Sequence, residues 1–185
     1  SLVFVGSIFG GVAALVTFLA VASTNDVVLT KESPWRKRLD TWSLALVHGL
    51  LAFLGYALIF YMFSQSFKDA KIDMWASSVI IALSTGFAAY AAYLSASSMT
   101  SVRVSMLLAM FMVSGIFISM LTSSDPHWWY FHFSSLGAGG GVSGYAFNLT
   151  LILAGLIVVA LTSYITNDFN RLKTSGTVSR RAKAG

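Results

Sequence analysis

Asp125, His127 and His132 lie within one short stretch and are the first residues of this chain whose chemistry could serve a reaction. Imidazole and carboxylate groups suit both metal coordination and proton transfer. Histidines five positions apart, however, do not share one helix face well. We therefore keep these three residues as candidate metal ligands, or as an acid and a base, and favour a different interpretation of the segment that contains them.

That interpretation rests on the aromatic residues around the two histidines. Five aromatic side chains occupy six positions, namely Trp128, Trp129, Tyr130, Phe131 and Phe133. Amphipathic rings are favoured in the headgroup zone of a membrane, so this pattern predicts a segment lying at the membrane surface. Contact with a ligand or lipid is the alternative. The glycines that follow, from Gly137 to Gly144, predict a flexible return into the next apolar run.

His48, in the apolar run LALVHGLLAF, is a third candidate. An ionisable group inside a membrane span is a functional candidate by default. No predicted span contains Asp or Glu to complete a proton relay, which favours a neutral histidine that is hydrogen-bonded across the helix bundle. Asn148 is a further polar side chain near a span.

The composition determines which elements must position these residues. Of 185 residues, 56% are hydrophobic and 10% are charged, and the mean hydropathy is +0.75. These values exclude an ordinary soluble domain. Five runs without a charged residue are long enough to cross a bilayer, approximately 2–24, 41–65, 75–98, 104–123 and 145–166.

Each of these runs predicts a transmembrane helix. A central charge would cost roughly 2.5–3.5 kcal/mol, and lipid offers the backbone no hydrogen-bond partner. We therefore predict an all-α, polytopic membrane helix bundle over residues 1–166, followed by a basic tail over 167–185.

The basic residues of the connections predict the orientation. Ten of them share one side and two lie on the other. The ten are Lys31, Arg36, Lys37, Arg38, Arg103, Arg171, Lys173, Arg180, Arg181 and Lys183, and the two are Lys68 and Lys71. This split predicts a multi-pass protein of the cell membrane with a cytoplasmic carboxyl terminus and residues 124–144 outside. Because five spans then place Ser1 outside, we expect an earlier helix or a processed start.

The linker before the second run predicts a lipid contact. It places Trp35 beside Arg36, Lys37 and Arg38 at the inner surface, where basic residues attract anionic lipids. Since the basic residues lie between apolar blocks, the net charge of +5 does not predict nucleic-acid binding. The chain has no cysteine, which excludes disulfides, thiolate metal sites and thiol catalysis.

The segment SDPHWWYFHFSSLG, followed after a glycine-rich gap by YAFNLTLILAGL, resembles bacterial polytopic membrane proteins of the domain-of-unknown-function 998 family. The resemblance covers mainly residues 125–166. The matching positions are Ser134 or Ser135, Leu136, Gly137, Phe147, Asn148 and Gly155. It implies a multi-span membrane protein and no particular activity. In that family the motif lies near the start of a domain with more than five spans, so we expect the natural protein to continue past Gly185.

Taken together, these patterns predict a non-catalytic accessory or scaffold subunit of a larger membrane assembly, with the bilayer and other membrane subunits as partners. Small residues such as Gly6, Gly10, Ala82 and Gly86 recur at a spacing that lets helices approach closely. One alternative is a carrier or channel for a small or lipidic substrate that uses His48. A second is a membrane enzyme at the outer loop. No phosphate loop, serine elbow or zinc helix motif is present, and no cofactor is predicted.

Overall fold

The computed structural model describes residues 2–24, 33–66, 73–125, 127–130 and 132–183. All regular secondary structure in these ranges is helical. The α-helices are α1 (Leu2–Thr24), α2 (Pro34–Ser66), α3 (Met74–Ser97), α4 (Ser101–Leu121), α5 (Ser135–Ala138) and α6 (Gly141–Lys183), with a 3₁₀ turn at Trp128–Tyr130. Within the described residues, five helices are long and apolar enough to span a membrane. The predicted all-α membrane helix bundle is confirmed.

The second helix begins at Pro34 rather than near residue 41, where its predicted span begins. Proline is well suited to the first helical position, and the Ser33 carbonyl accepts hydrogen bonds from the amides of Arg36 and Lys37. With 33 residues, α2 is about 50 Å long, whereas a hydrocarbon core is about 30 Å thick. The basic residues therefore belong to the helix and lie at its end.

The helices pack in an order that differs from their order along the chain. The first helix, α1, lies between α2 and α3, while α4 packs along α6. Contacts between α2 and α6 join these two groups, and α2 and α3 have little direct contact despite being consecutive. The third helix is consequently held mainly by α1, through its buried alanines Ala88, Ala92 and Ala96.

Glycines let α1 and α2 approach closely. A Cβ atom built on Gly11 would lie 2.9 Å from the Gly49 carbonyl oxygen, and one on Gly49 would lie 3.0 Å from the Gly11 carbonyl oxygen. Gly6 and Gly10 similarly face the rings of Phe60 and Tyr56. Gly6 and Gly10, which the spacing predicted as contact positions, are thus used inside the chain.

Paired serines hold α4 against α6. Ser119 and Ser143 are buried, and each hydroxyl donates to the other residue's carbonyl oxygen, at 2.9 and 2.8 Å. At the opposite end of α4, the Ser101 hydroxyl donates to Asp168 of α6 at 2.6 Å. The two helices are therefore tied at both ends. Such bonds are worth about 0.6 kcal/mol each on average within a membrane.

Candidate functional site

An open, mostly apolar cleft lies between α2 and α3 in the membrane-spanning part of the described structure. Its volume is about 650 Å³, within the usual range for small-molecule sites. One wall consists of Leu51, Ala52 and Gly55 of α2, and the other is formed by α3. Ala14 of α1 also contributes to its lining. We call this recess the His48 cleft, because His48 is one of its few polar side chains.

His48 makes three contacts that join three helices. Its Nδ1 lies 2.7 Å from the Leu44 carbonyl oxygen of α2, and its Nε2 lies 2.8 Å from the Ser95 hydroxyl of α3. The ring stacks on Phe18 of α1 with centroids 4.6 Å apart. A carbonyl oxygen only accepts hydrogen bonds, so Nδ1 carries a proton whether the ring is neutral or charged. In the neutral ring, Nε2 accepts a hydrogen bond from the Ser95 hydroxyl.

A second hydrogen bond crosses the same cleft eight residues further along α2. The Tyr56 hydroxyl donates to the Ser84 carbonyl oxygen of α3 at 2.7 Å. His48 and Tyr56 are therefore about 12 Å apart along the helix axis, and they connect α2 to α3 on either side of an apolar stretch. The arrangement suits an apolar molecule held between two polar contacts, or the side chains of another helix.

Asp40 is a buried acidic residue that the sequence reasoning missed, because the predicted span began at residue 41. It is 1% exposed, and it accepts a hydrogen bond from the Ser163 hydroxyl of α6 at 3.3 Å. Asp40 lies on the same helical face as Leu44 and Val47, which are both fully buried. This spacing of three and four residues is the signal that could have placed Asp40 inside the bundle.

The aromatic segment Asp125 to Phe133 lies at the opposite end of the bundle from Asp40. Trp129 is 57% exposed and Tyr130 is 74% exposed, while Trp128 is only partly exposed. Phe133 meets Phe147 of α6 with ring centroids 5.8 Å apart, which attaches the segment to the bundle. Phe131 falls outside the described residues. Exposed rings fixed at one end of a bundle are the arrangement expected of an interfacial anchor.

The two histidines of this segment have different surroundings. The backbone amide of His127, rather than its imidazole, donates to the Asp125 carboxylate at 2.8 Å, and the His127 ring stacks against Tyr130. His132 is exposed. Across the described part of the chain, no three His, Cys, Asp or Glu side chains form a group that could hold a metal ion. The structure therefore does not assemble Asp125, His127 and His132 into a metal-binding set.

The glycine-rich return differs from the flexible connection that the composition predicts. Residues 135–138 form α5, and α6 begins at Gly141, whose φ of +77° suits glycine. The Asn148 side chain donates to the Gly137 carbonyl oxygen at 3.0 Å. Asn148 therefore joins α6 to α5 at the edge of the bundle.

The predicted lipid contacts cluster at the start of α2. Trp35 is 67% exposed, and Arg38 is exposed beside it. Arg36 and Lys37 are partly buried in the first turn of the helix. All four residues lie at the bundle end that also carries Arg103 and Lys173.

No family model matches the chain, and no curated protein or solved structure shows significant similarity to it. The resemblance to the 998 family stays a prediction.

Proposed function

We propose that this chain is a non-catalytic subunit of a larger membrane assembly and that α3 carries the surface for its partners. The observation that carries the proposal is the uneven burial of the spanning helices. In the most apolar stretch of each spanning helix, 17% of the residues are buried in α3 and 22% in α4, against 39% in each of the other three helices. The third helix is therefore the one with most surface left for another protein.

Apolar exposure alone is weak support, because lipid tails are as apolar as leucine. The composition of the exposed face adds to it. Ala82 and Gly86 are exposed, and a Cβ atom built on Gly86 would meet nothing within 4 Å. Small exposed residues four positions apart allow another helix to approach the backbone closely, which is how helices associate in membranes.

We expect Gly86→Leu to lower the amount of partner protein that co-purifies in mild detergent several-fold, because the leucine keeps a second helix away from α3. The matched control is Gly155→Leu in α6, since Gly155 is also exposed and has nothing within 4 Å of its added Cβ. Quantitative mass spectrometry of the purified material measures the effect. Equal partner recovery from both variants, or a wild-type protein that is monomeric and alone, would overturn the scaffold proposal.

A carrier for a lipidic substrate is the second candidate, and the His48 cleft favours it. The cleft is apolar and open, and it combines His48 with few other polar groups, as expected of a site for an apolar molecule. If the protein produces substrate-dependent flux in liposomes and His48→Ala abolishes that flux, the carrier proposal replaces the scaffold proposal. The catalytic alternative at the outer loop has no such support from the positions of Asp125, His127 and His132.

We also propose that the protein lies in the cell membrane with its carboxyl terminus in the cytoplasm and residues 124–144 outside. The basic residues at one bundle end and the aromatic segment at the other support this orientation. Because the chain has no cysteine, single cysteines report accessibility directly. We expect a membrane-impermeant maleimide to label Tyr130→Cys in intact cells and to label Lys173→Cys only after lysis. The reverse pattern contradicts the orientation.

A further inference from the structure

A second recess lies where the carboxyl-terminal half of α1 meets the first turns of α2. Its volume is about 670 Å³. The α1 side includes Val16, Leu19 and Ala20, and the α2 side includes Lys37 and Arg38, with Trp42 one turn below Arg38. We call this recess the basic groove. It is separate from the His48 cleft, and none of its lining residues is shared with that cleft.

The distribution of charge in the basic groove favours an anion. Lys37 and Arg38 supply two cationic groups, and no acidic residue is among those that line the groove in the described structure. Asp40, the described acidic residue of α2, is not among the residues that line the groove. A phosphate group pairs well with Lys and Arg side chains, which donate charge-assisted hydrogen bonds.

The rest of the groove favours a lipid over a free phosphate. Below the two cations the wall becomes apolar, with Val16 55% exposed and Trp42 52% exposed. A phospholipid has the same order of groups, with a charged headgroup at the membrane surface and acyl chains directed inward. Tryptophan is favoured at the depth where these two parts meet. A free phosphate would make no use of the apolar wall.

We propose that the basic groove binds an anionic phospholipid, with its phosphate at Lys37 and Arg38 and one acyl chain lying along Val16, Leu19 and Ala20. This inference does not depend on the scaffold role, since a subunit or a carrier could use such a lipid. It extends the general attraction of basic residues for anionic membranes to one site between two helices.

The test measures lipid binding to the purified full chain by native mass spectrometry, with phosphatidylglycerol and phosphatidylcholine added separately. We expect a preference for phosphatidylglycerol. Removing both charges in Lys37→Gln/Arg38→Gln should weaken phosphatidylglycerol binding roughly 30-fold, as expected for two basic residues near an anionic surface. Arg180→Gln/Arg181→Gln removes the same charge from the end of α6 and should leave the preference intact.

Two further experiments distinguish the contribution of the acyl chain to binding from that of the headgroup. Ala20 is exposed in the groove, so Ala20→Trp should fill the acyl position and weaken lipid binding, whereas Ala82→Trp on exposed α3 should not. Inorganic phosphate at millimolar concentration should fail to compete. Four results would each overturn the proposal. They are equal binding of the two lipids, an equal loss of binding in Arg180→Gln/Arg181→Gln, wild-type binding by Ala20→Trp, and displacement of the lipid by phosphate.

Discussion

We expect Gly49→Leu to lower the free energy of unfolding by about 3 kcal/mol or more, at the upper end of what overpacking costs. The Cβ atom of any residue at position 49 would lie 3.0 Å from the Gly11 carbonyl oxygen and 3.1 Å from the Leu15 Cβ. Both neighbours are backbone or adjacent to it, so neither can move away without separating α1 from α2. Because α3 is held mainly by α1, this separation also weakens the attachment of α3.

The matched control is Gly55→Leu on the same helix. A Cβ atom on Gly55 would meet nothing within 4 Å, so the same substitution should change stability by no more than about 0.5 kcal/mol. The loss of stability in Gly49→Ala should lie between those of the two leucine variants, because alanine adds only the Cβ atom that makes the two close contacts. Thermal unfolding in one detergent, monitored by size-exclusion chromatography of heated samples, ranks the three variants by stability. A Gly49→Leu protein as stable as Gly55→Leu contradicts the close α1–α2 approach.

We expect Gly115→Ala to separate α4 from α6, with a loss of about 1–3 kcal/mol. An added Cβ would lie closer than 3.0 Å to three atoms of the Thr150 side chain, Oγ1, Cγ2 and Cβ. That side chain cannot rotate away at no cost, because its hydroxyl donates to the Ala146 carbonyl oxygen at 2.6 Å. The effect is large for one methyl group because α4 packs chiefly against α6.

A double-mutant cycle distinguishes this contact from a general loss of helix packing. Thr150→Ala removes two of the three crowded atoms, so Gly115→Ala/Thr150→Ala should recover part of the stability that Gly115→Ala loses. Coupling between residues in contact is typically 0.5–3 kcal/mol. Strict additivity of the two substitutions in reversible unfolding measurements would show that Gly115 and Thr150 are not in contact.

The same glycine chemistry explains why the spacing of small residues did not by itself reveal a partner surface. Gly6, Gly10 and Gly11 face α2 within the chain, whereas Gly86 and Gly155 face outward. All five are glycines in apolar runs and are equivalent in composition. Which side each one faces depends on the relative positions of four helices, α1, α2, α3 and α6, and a single sequence does not contain that information.

Charge exclusion was a reliable predictor of the five long apolar helices and a poor predictor of where α2 begins. It identified the five apolar runs, because a lone charge within the hydrocarbon core is costly. It also placed Asp40 outside the second span. In the structure Asp40 lies inside the helix and is buried against α6, where Ser163 donates a hydrogen bond to it. A carboxylate next to an apolar run becomes part of the bundle when another helix supplies a donor.

The sequence by itself therefore determined the fold class, the approximate spans and the separation of basic residues from the aromatic segment, because each depends on the cost of placing single side chains in lipid. The tertiary structure alone decided which helices are neighbours, that His48 bonds to Ser95 across a cleft, and that Lys37 and Arg38 lie above an apolar groove. These features depend on contacts between residues far apart in the chain. Lipid does not drive apolar helices together, so their arrangement is set by close packing and by a few hydrogen bonds.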